Sequence, residues 1–273
     1  MHIAPISSLN QGVRGRSKKD IAAMKDVTLL ELLKSGAHFG HTTSRWNPRM
    51  KPFIYTVRNN IHILDLAKTR QHLLKAASFV SDKAAMGGTV LFVGTKRQSK
   101  ESIKKAAEAA GMPFVTARWL GGTFTNFRTI QKTIRKLEKL EELQATGELA
   151  ARYTKKERLL IEREMLKLEK LFEGIKGLKK LPDVLFVADI IHDATAVREA
   201  KKMGVPVIGL VDSNSDPDLV TYPIACNDDA TKAVELVSSV IAEAIVEGRN
   251  RFVANRAPVA EAAPKQETEE VNA

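Results

Sequence analysis

The sequence predicts an α/β fold: a three-layer, parallel-sheet domain carrying an inserted antiparallel α-helical coiled-coil hairpin. Three observations predict it. Residues 89–93 (TVLFV), 182–187 (PDVLFV) and 204–211 (GVPVIGLV) are short apolar runs with no polar alternation, the pattern of strands covered on both faces. They alternate with segments of helical period, so strand, helix and strand follow at the spacing of right-handed crossover units, as in flavodoxin- or Rossmann-like folds. Between Phe127 and Ile175 the pattern changes. Ile130, Ile134 and Leu137 form one apolar seam, and Ile161, Met165, Leu168, Phe172 and Ile175 form a second at spacings of four and three.

Taken in order, residues 1–24 have neither period, and their basic residues are spaced by Gly and Ser, the composition of a disordered arm. Organised sequence begins after Met24. Thr28 and Glu31 have capping-box spacing for a helix over 29–34, which Ser35-Gly36 ends. Residues 37–53 (AHFGHTTSRWNPRMKPF) read as an irregular loop because Pro48 and Pro52 interrupt them. Strands are expected over 53–57 and 61–64, then a helix over 66–85 capped by Asp65 and closed by Gly87-Gly88. The strand 89–93 leads through a loop from Gly94 to Ser99 into a helix over 100–110, and 113–116 supplies the next strand. A loop around Gly147 divides the two seams, with a second capping box at Thr154 and Glu157. After the strand 182–187, Asp193 caps a helix over 194–203. The strand 204–211 and a short strand over 219–222 follow, and Asn227 or Asp228 caps a last helix over 230–247. The expected organisation is a disordered basic arm (1–24), an α/β domain (25–127 plus 182–249), a coiled-coil hairpin insertion (128–181) and a disordered acidic tail (250–273).

The net charge of +11 over 273 residues is unevenly placed. Residues 1–25 carry +4, 26–127 carry +9, 128–181 carry +6, 182–255 carry −6 and 256–273 carry −2. The front two-thirds has the charge of a polyanion binder and the back third does not. The lone Cys226 excludes an internal disulfide and a cysteine-based zinc site, and fits reducing cytoplasm. No apolar run approaches the roughly 20 residues that span a bilayer, and the first residues lack the apolar centre of a secretory signal.

The stretch from Thr116 to Arg128 (TARWLGGTFTNFR) joins cations, aromatic rings and a Gly-Gly backbone, a combination that can meet phosphates and stack on a splayed base; rings tucked into the core are the plainer reading. Arg45, Arg49 and Lys51 surround Trp46 in a second basic, aromatic loop. Lys96 and Arg97 lie in the Gly94 to Ser99 loop, where a doubly wound fold binds phosphates, but the loop has neither Gly-rich nucleotide fingerprint. His38 and His41 form HxxH with no further ligand at metal-site spacing. Asp189, His192 and Asp193 follow a strand, as acid–base groups do, and Asp212, Asp216 and Asp218 suit a Mg²⁺ site or a polar turn equally. No nucleophile has an evident base, so no catalytic residue, metal site or cofactor is expected.

In nine places the sequence resembles one family, that of the second protein of the small ribosomal subunit, bacterial type. The matches are AHFGH from Ala37, RWNP from Arg45 with MKP from Met50, NIHILD from Asn60, FVGTKRQ from Phe92, RWLGG from Arg118, TNF from Thr125, LPD from Leu181, VD at Val211 with DP at Asp216, and NDDA from Asn227. They run in order over residues 25–249. Ser213, Ser215, His192, Asp193 and Cys226 depart from the family's pattern, as does the extension before Met24. The resemblance implies the α/β domain with its hairpin, binding to small-subunit ribosomal RNA between head and body, contacts with neighbouring ribosomal proteins including the large mRNA-recruiting one, and no enzymatic activity. On this reading Arg45, Trp46, Arg49, Lys51, Lys96, Arg97, Arg118, Arg128, Lys132, Arg135 and Lys136 contact RNA, with Trp46 or Trp119 as the stacking ring. Asp212, Asp216, Asp218, Asp228 and Asp229 contact protein. The alternative is an α/β enzyme acting on a phosphorylated small molecule at the Gly94 to Ser99 loop.

Overall fold

The computed structural model describes residues 27–256. The arm and most of the tail anticipated from the sequence therefore lie outside the described residues. Five parallel strands form the central sheet: β4 (Val90–Val93), β5 (Phe114–Val115), β6 (Val184–Val187), β7 (Val207–Val211) and β8 (Tyr222–Ala225), in the order β5-β4-β6-β7-β8. Every residue of β4, β6 and β7 is buried, which accounts for their uninterrupted apolar sequence.

Alternate residues serve opposite faces. Val90, Phe92, Phe186 and Ile208 enter one apolar cluster with α2 (Leu66–Ala85), α3 (Lys100–Ala110) and the last helix, α8 (Thr231–Arg256). Leu91, Val93, Leu185 and Val187 enter a second cluster on the other face, with Ala196, Val197 and Ala200 of α7 (Ala194–Met203). The core is thus Rossmann-like, helices covering both faces of a parallel sheet. Ile130, Ile134 and Leu137 of α4 (Phe127–Ala145), with Met165 and Phe172 of α6 (Lys155–Phe172), extend the second cluster, and Lys136 of α4 bonds Glu164 of α6 at 2.5 Å. A short helix, α5 (Glu148–Arg152), stands between them where the sequence suggests only a loop. No described helix is long and apolar enough to cross a membrane.

Both capping boxes form, at Thr28 for α1 (Leu29–Lys34) and at Thr154 for α6, and Asp65 caps α2. Four expectations need correction. Residues 37–53 are not irregular: Phe39–Thr42 is strand β1, and 3-10 turns cover Thr43–Arg45 and Pro48–Phe53. Pro48 begins the second turn, where its missing N–H costs nothing. Strand β1 pairs antiparallel with β3 (Ile61–Leu64), which pairs with β2 (Ile54–Arg58) through a turn whose Asn59 and Asn60 both take positive φ. The segment 219–222 is mostly not strand; a 3-10 turn covers Pro217–Leu219 and β8 starts at Tyr222. Asp193 precedes α7 without capping it, because its carboxylate accepts from Thr95 instead. Finally, the last helix runs on to Arg256, taking in residues expected in the tail. Gly248 does not end it but brings it close to α2: a Cβ there would lie 2.3 Å from the Ser81 carbonyl oxygen. Beyond it, Arg249 donates to the Ala110 carbonyl and Arg251 to the Ser81 hydroxyl.

Candidate nucleic-acid interface

The strand order reverses direction of growth between β4 and β6, the crevice where a doubly wound sheet receives phosphates. Here a side chain of the protein fills it. Lys96 Nζ lies 3.0 Å from Asp189, 2.8 Å from Asp228 and 2.7 Å from Asp229. The neighbouring Thr95 donates through its amide and hydroxyl to Asp193. Gly94 is the close-approach glycine, since a Cβ would meet Ile103 at 2.6 Å. Burial alone would lower the Lys96 ammonium, but bonds from Asp228, Asp229 and Asp189 outweigh it and hold the lysine well above its ordinary value. Burial and then repulsion from Asp189 push Asp228 up to about 7 against the pull of Lys96. A phosphate entering this crevice would face carboxylates and find its one lysine engaged, which removes the physical basis for a phosphorylated-ligand site. Lys96 is likewise not free for RNA, while Arg97 beside it is exposed.

The basic loop before β2 docks on the turn after β7. The His41 amide donates to Ser213 Oγ at 2.7 Å, and the Asn47 amide to the Ser213 carbonyl at 2.8 Å. His41 Nδ1 lies 3.0 Å from Asp212, whose hydrogen bond raises the imidazole above its ordinary value. Arg49 pairs with Asp216 at 2.6 Å and Asp218 at 3.4 Å. The acidic residues expected to meet a protein partner are therefore largely used inside the chain. Asp212 and Asp228 are buried, and Asp216 shares Arg49, leaving Asp218 and Asp229 as the exposed members. Asp212, Asp216 and Asp218 do not converge on a cation position. Instead His41, Asp212 and Asp228 offer one ring nitrogen and two carboxylate oxygens within 4.8 Å of one another, a donor set suited to a divalent ion. Of the HxxH pair, His41 belongs to this set and His38 does not, its Nδ1 being buried without a hydrogen-bond partner among the described residues; the two aspartates come from distant loops and no local spacing announces them.

The loop from Trp119 to Thr125 is built on one buried carboxylate, missed in the sequence. Glu199, on α7, is 8% exposed. Its Oε1 accepts from Trp119 Nε1 at 3.2 Å and the Gly122 amide at 2.8 Å; its Oε2 accepts from the Phe124 amide at 3.0 Å and the Thr125 amide and hydroxyl, both at 3.1 Å. Burial would raise this carboxyl, but the Thr125, Gly122 and Phe124 amides with the Trp119 indole outweigh burial and hold it below the ordinary glutamate range. Trp119 is 7% exposed and packs edge-on to buried Phe124 at 5.1 Å, so these rings are core and not a stacking platform. Trp46 is 36% exposed, with its inner face against His62, and is the ring that remains accessible.

Among the remaining cations, Arg45, Lys51, Arg97, Arg118, Arg128, Lys132 and Arg135 are exposed and have no acidic partner among the described residues; Lys136 is bonded to Glu164. Arg118, Arg128, Lys132 and Arg135 flank the Glu199-held loop and the first turns of α4.

The sequence model of a family described as ribosomal protein S2 matches residues 32–248. The chain is similar to the small ribosomal subunit protein uS2 of Coprothermobacter proteolyticus, 53% identical over 226 residues that cover 83% of this chain and 84% of that protein. It is 51% identical to the protein of that name from Nitratiruptor sp. over 223 residues, 82% of this chain and 83% of that one. Against that from Roseiflexus sp. it is 49% identical over 245 residues, 90% of this chain and 93% of the relative.

Proposed function

The chain belongs to the ribosomal protein S2 family, and from that premise we propose that it is a structural constituent of the small ribosomal subunit, supports translation, and binds small-subunit ribosomal RNA between head and body. Its relatives are ribosomal structural proteins and not enzymes. The observation that carries the RNA reading is the positive charge left over after internal pairing, which includes the exposed arginines and lysines at Arg45, Lys51, Arg97, Arg118, Arg128, Lys132 and Arg135. These would meet phosphates, fixing position and orientation, while shape supplies selectivity. Trp46 is the candidate stacking ring. Residues 128–181, with their +6 charge and two apolar seams, are read as an antiparallel coiled-coil hairpin inserted into the α/β unit of residues 25–127 and 182–249, its outer face a second RNA contact. Asp218 and Asp229, on the acidic stretch 182–255, are the candidate contacts with neighbouring ribosomal proteins, including the large mRNA-recruiting one. The compartment is the cytoplasmic ribosome.

The test is equilibrium binding to small-subunit ribosomal RNA over a salt series, with the triple variant Arg128→Glu, Lys132→Glu, Arg135→Glu. Each lost phosphate contact lowers the slope of log K against log salt by about 0.7–0.9, so the triple variant should flatten it by about 2–3 and reduce incorporation into subunits. An unchanged slope and unchanged incorporation would refute the reading.

A further inference from the structure

Glycine is required where φ is positive or where a Cβ would collide. Among the described glycines, two meet neither condition: a Cβ at Gly121 or Gly177 would meet nothing within 4 Å beyond its chain neighbours, and neither takes positive φ. Both are exposed. Gly121 lies on the outside of the loop that Glu199 ties down from within, next to Gly122, whose carbonyl accepts from the Asn126 amide at the start of α4. Gly177 is two residues from Lys179, whose carbonyl accepts from Gln131 Nε2, three residues along α4 from Arg128. The two bare backbone points are therefore both joined to the first turns of α4. Arg118 stands three residues before Gly121 and Lys179 two after Gly177, while Arg128, Lys132 and Arg135 share one face of α4; all five are exposed and without acidic partners among the described residues.

We infer that this face is a docking surface for the sugar–phosphate backbone of RNA, with Gly121 and Gly177 as points of backbone-to-backbone approach and Glu199 as the positioning residue that holds the Gly121 loop rigid beneath it. The inference rests on the RNA-binding reading and narrows it to one surface. A side chain at either glycine leaves the fold untouched but holds the RNA backbone away from these cations. Neither φ nor a close neighbour among the described residues requires glycine at these two positions; a partner in close contact would.

The experiment compares full-length wild type, Gly121→Leu, Gly177→Leu and Arg118→Gln for melting temperature and for binding to transcribed small-subunit ribosomal RNA over a salt series. Expected for each glycine variant is an unchanged melting temperature, about tenfold weaker binding at every salt concentration and an unchanged salt slope, because no charge is removed. Arg118→Gln should instead lower the slope by about 0.7–0.9. Glycine variants that bind like wild type while Arg118→Gln binds less well would overturn this surface and leave the RNA reading standing. A lowered melting temperature in step with the lost binding would also overturn it, because the glycines would then serve the fold. Absence of salt-dependent binding by the wild type would remove both readings.

Discussion

Replacing Glu199 by glutamine tests how far one carboxylate organises the loop before α4. The side chain keeps its size, but one of two oxygens becomes an NH2 group. Both oxygens face donors: Trp119 Nε1 and the Gly122 amide on one side, the Phe124 amide and the Thr125 amide and hydroxyl on the other. Neither amide orientation avoids placing a donor against at least two donors. Hydrogen bonds to a charged group contribute about 1.5–3 kcal/mol each, so losing two costs roughly 3–6 kcal/mol. At roughly 2–4 °C per kcal/mol for a chain of this size, the melting temperature should fall by on the order of 10 °C. The pH dependence has a definite sign. The native carboxyl lies below its ordinary value of 4.5, so its stabilisation is full above that pH and is lost as pH falls through the native value. Urea unfolding of wild type and variant from pH 3 to pH 7 should therefore give curves that converge at the acid end. A difference under about 1 kcal/mol at pH 7, against the range expected for charged bonds, or one that does not shrink towards pH 3, would refute the reasoning.

Two further outcomes follow from the packing. Asp228 has its pKa raised from 3.8 to about 7, so the native state holds a proton that the unfolded state releases, and the unfolding free energy should fall as pH rises from about 4 to about 7. Asp228→Asn removes the titrating group and should flatten that slope; parallel slopes in denaturant titrations would contradict the assignment. Gly248→Ala gains about 1 kcal/mol of helix propensity, but its Cβ would sit 2.3 Å from the Ser81 carbonyl oxygen and 2.8 Å from Ala84 Cβ. Overpacking costs typically 1–3 kcal/mol and the contact is with backbone, so the melting temperature should drop; an equal or higher value would show that α8 can move off α2 freely.

What was legible in the sequence was local. The capping boxes at Thr28 and Thr154 need only residues three apart, and the buried strands only their own apolar runs. What was not legible depends on partners remote in the chain. Asp193 has the sequence of a helix cap, yet Thr95 takes its carboxylate across the sheet. Gly248 has the sequence of a helix stop, and only the proximity of α2 shows that it is a contact glycine. Glu199 sits in a charged helix turn and gives no sign of the five donors waiting in a loop more than seventy residues earlier. The Asn59-Asn60 turn was the one missed signal present in the sequence, since two successive asparagines tolerate the left-handed backbone that a tight hairpin needs.

Charge is informative here only after internal pairing is subtracted. The split along the chain, positive to residue 181 and negative from 182 to 255, suggests two partners of opposite sign. Part of that split is consumed within the protein: Lys96 and His41 from the positive stretch meet Asp189, Asp212, Asp228 and Asp229 from the negative one, and Arg49 meets Asp216 and Asp218. These pairs fasten the β1–β3 region and the β4 loop onto the loops that follow β6, β7 and β8 and contribute little to attraction at a distance. Other exposed cations keep no acidic partner among the described residues, among them Arg45 and Lys51 before β2 and Arg118, Arg128, Lys132 and Arg135 around the Glu199-held loop leading into α4. Had Lys96 been the phosphate-binding residue that its place in the fold suggests, its carboxylate neighbours would have to release it first. Arg118 and Arg128 have no such bond to break, so a polyanion reaching this surface meets charges already turned towards it.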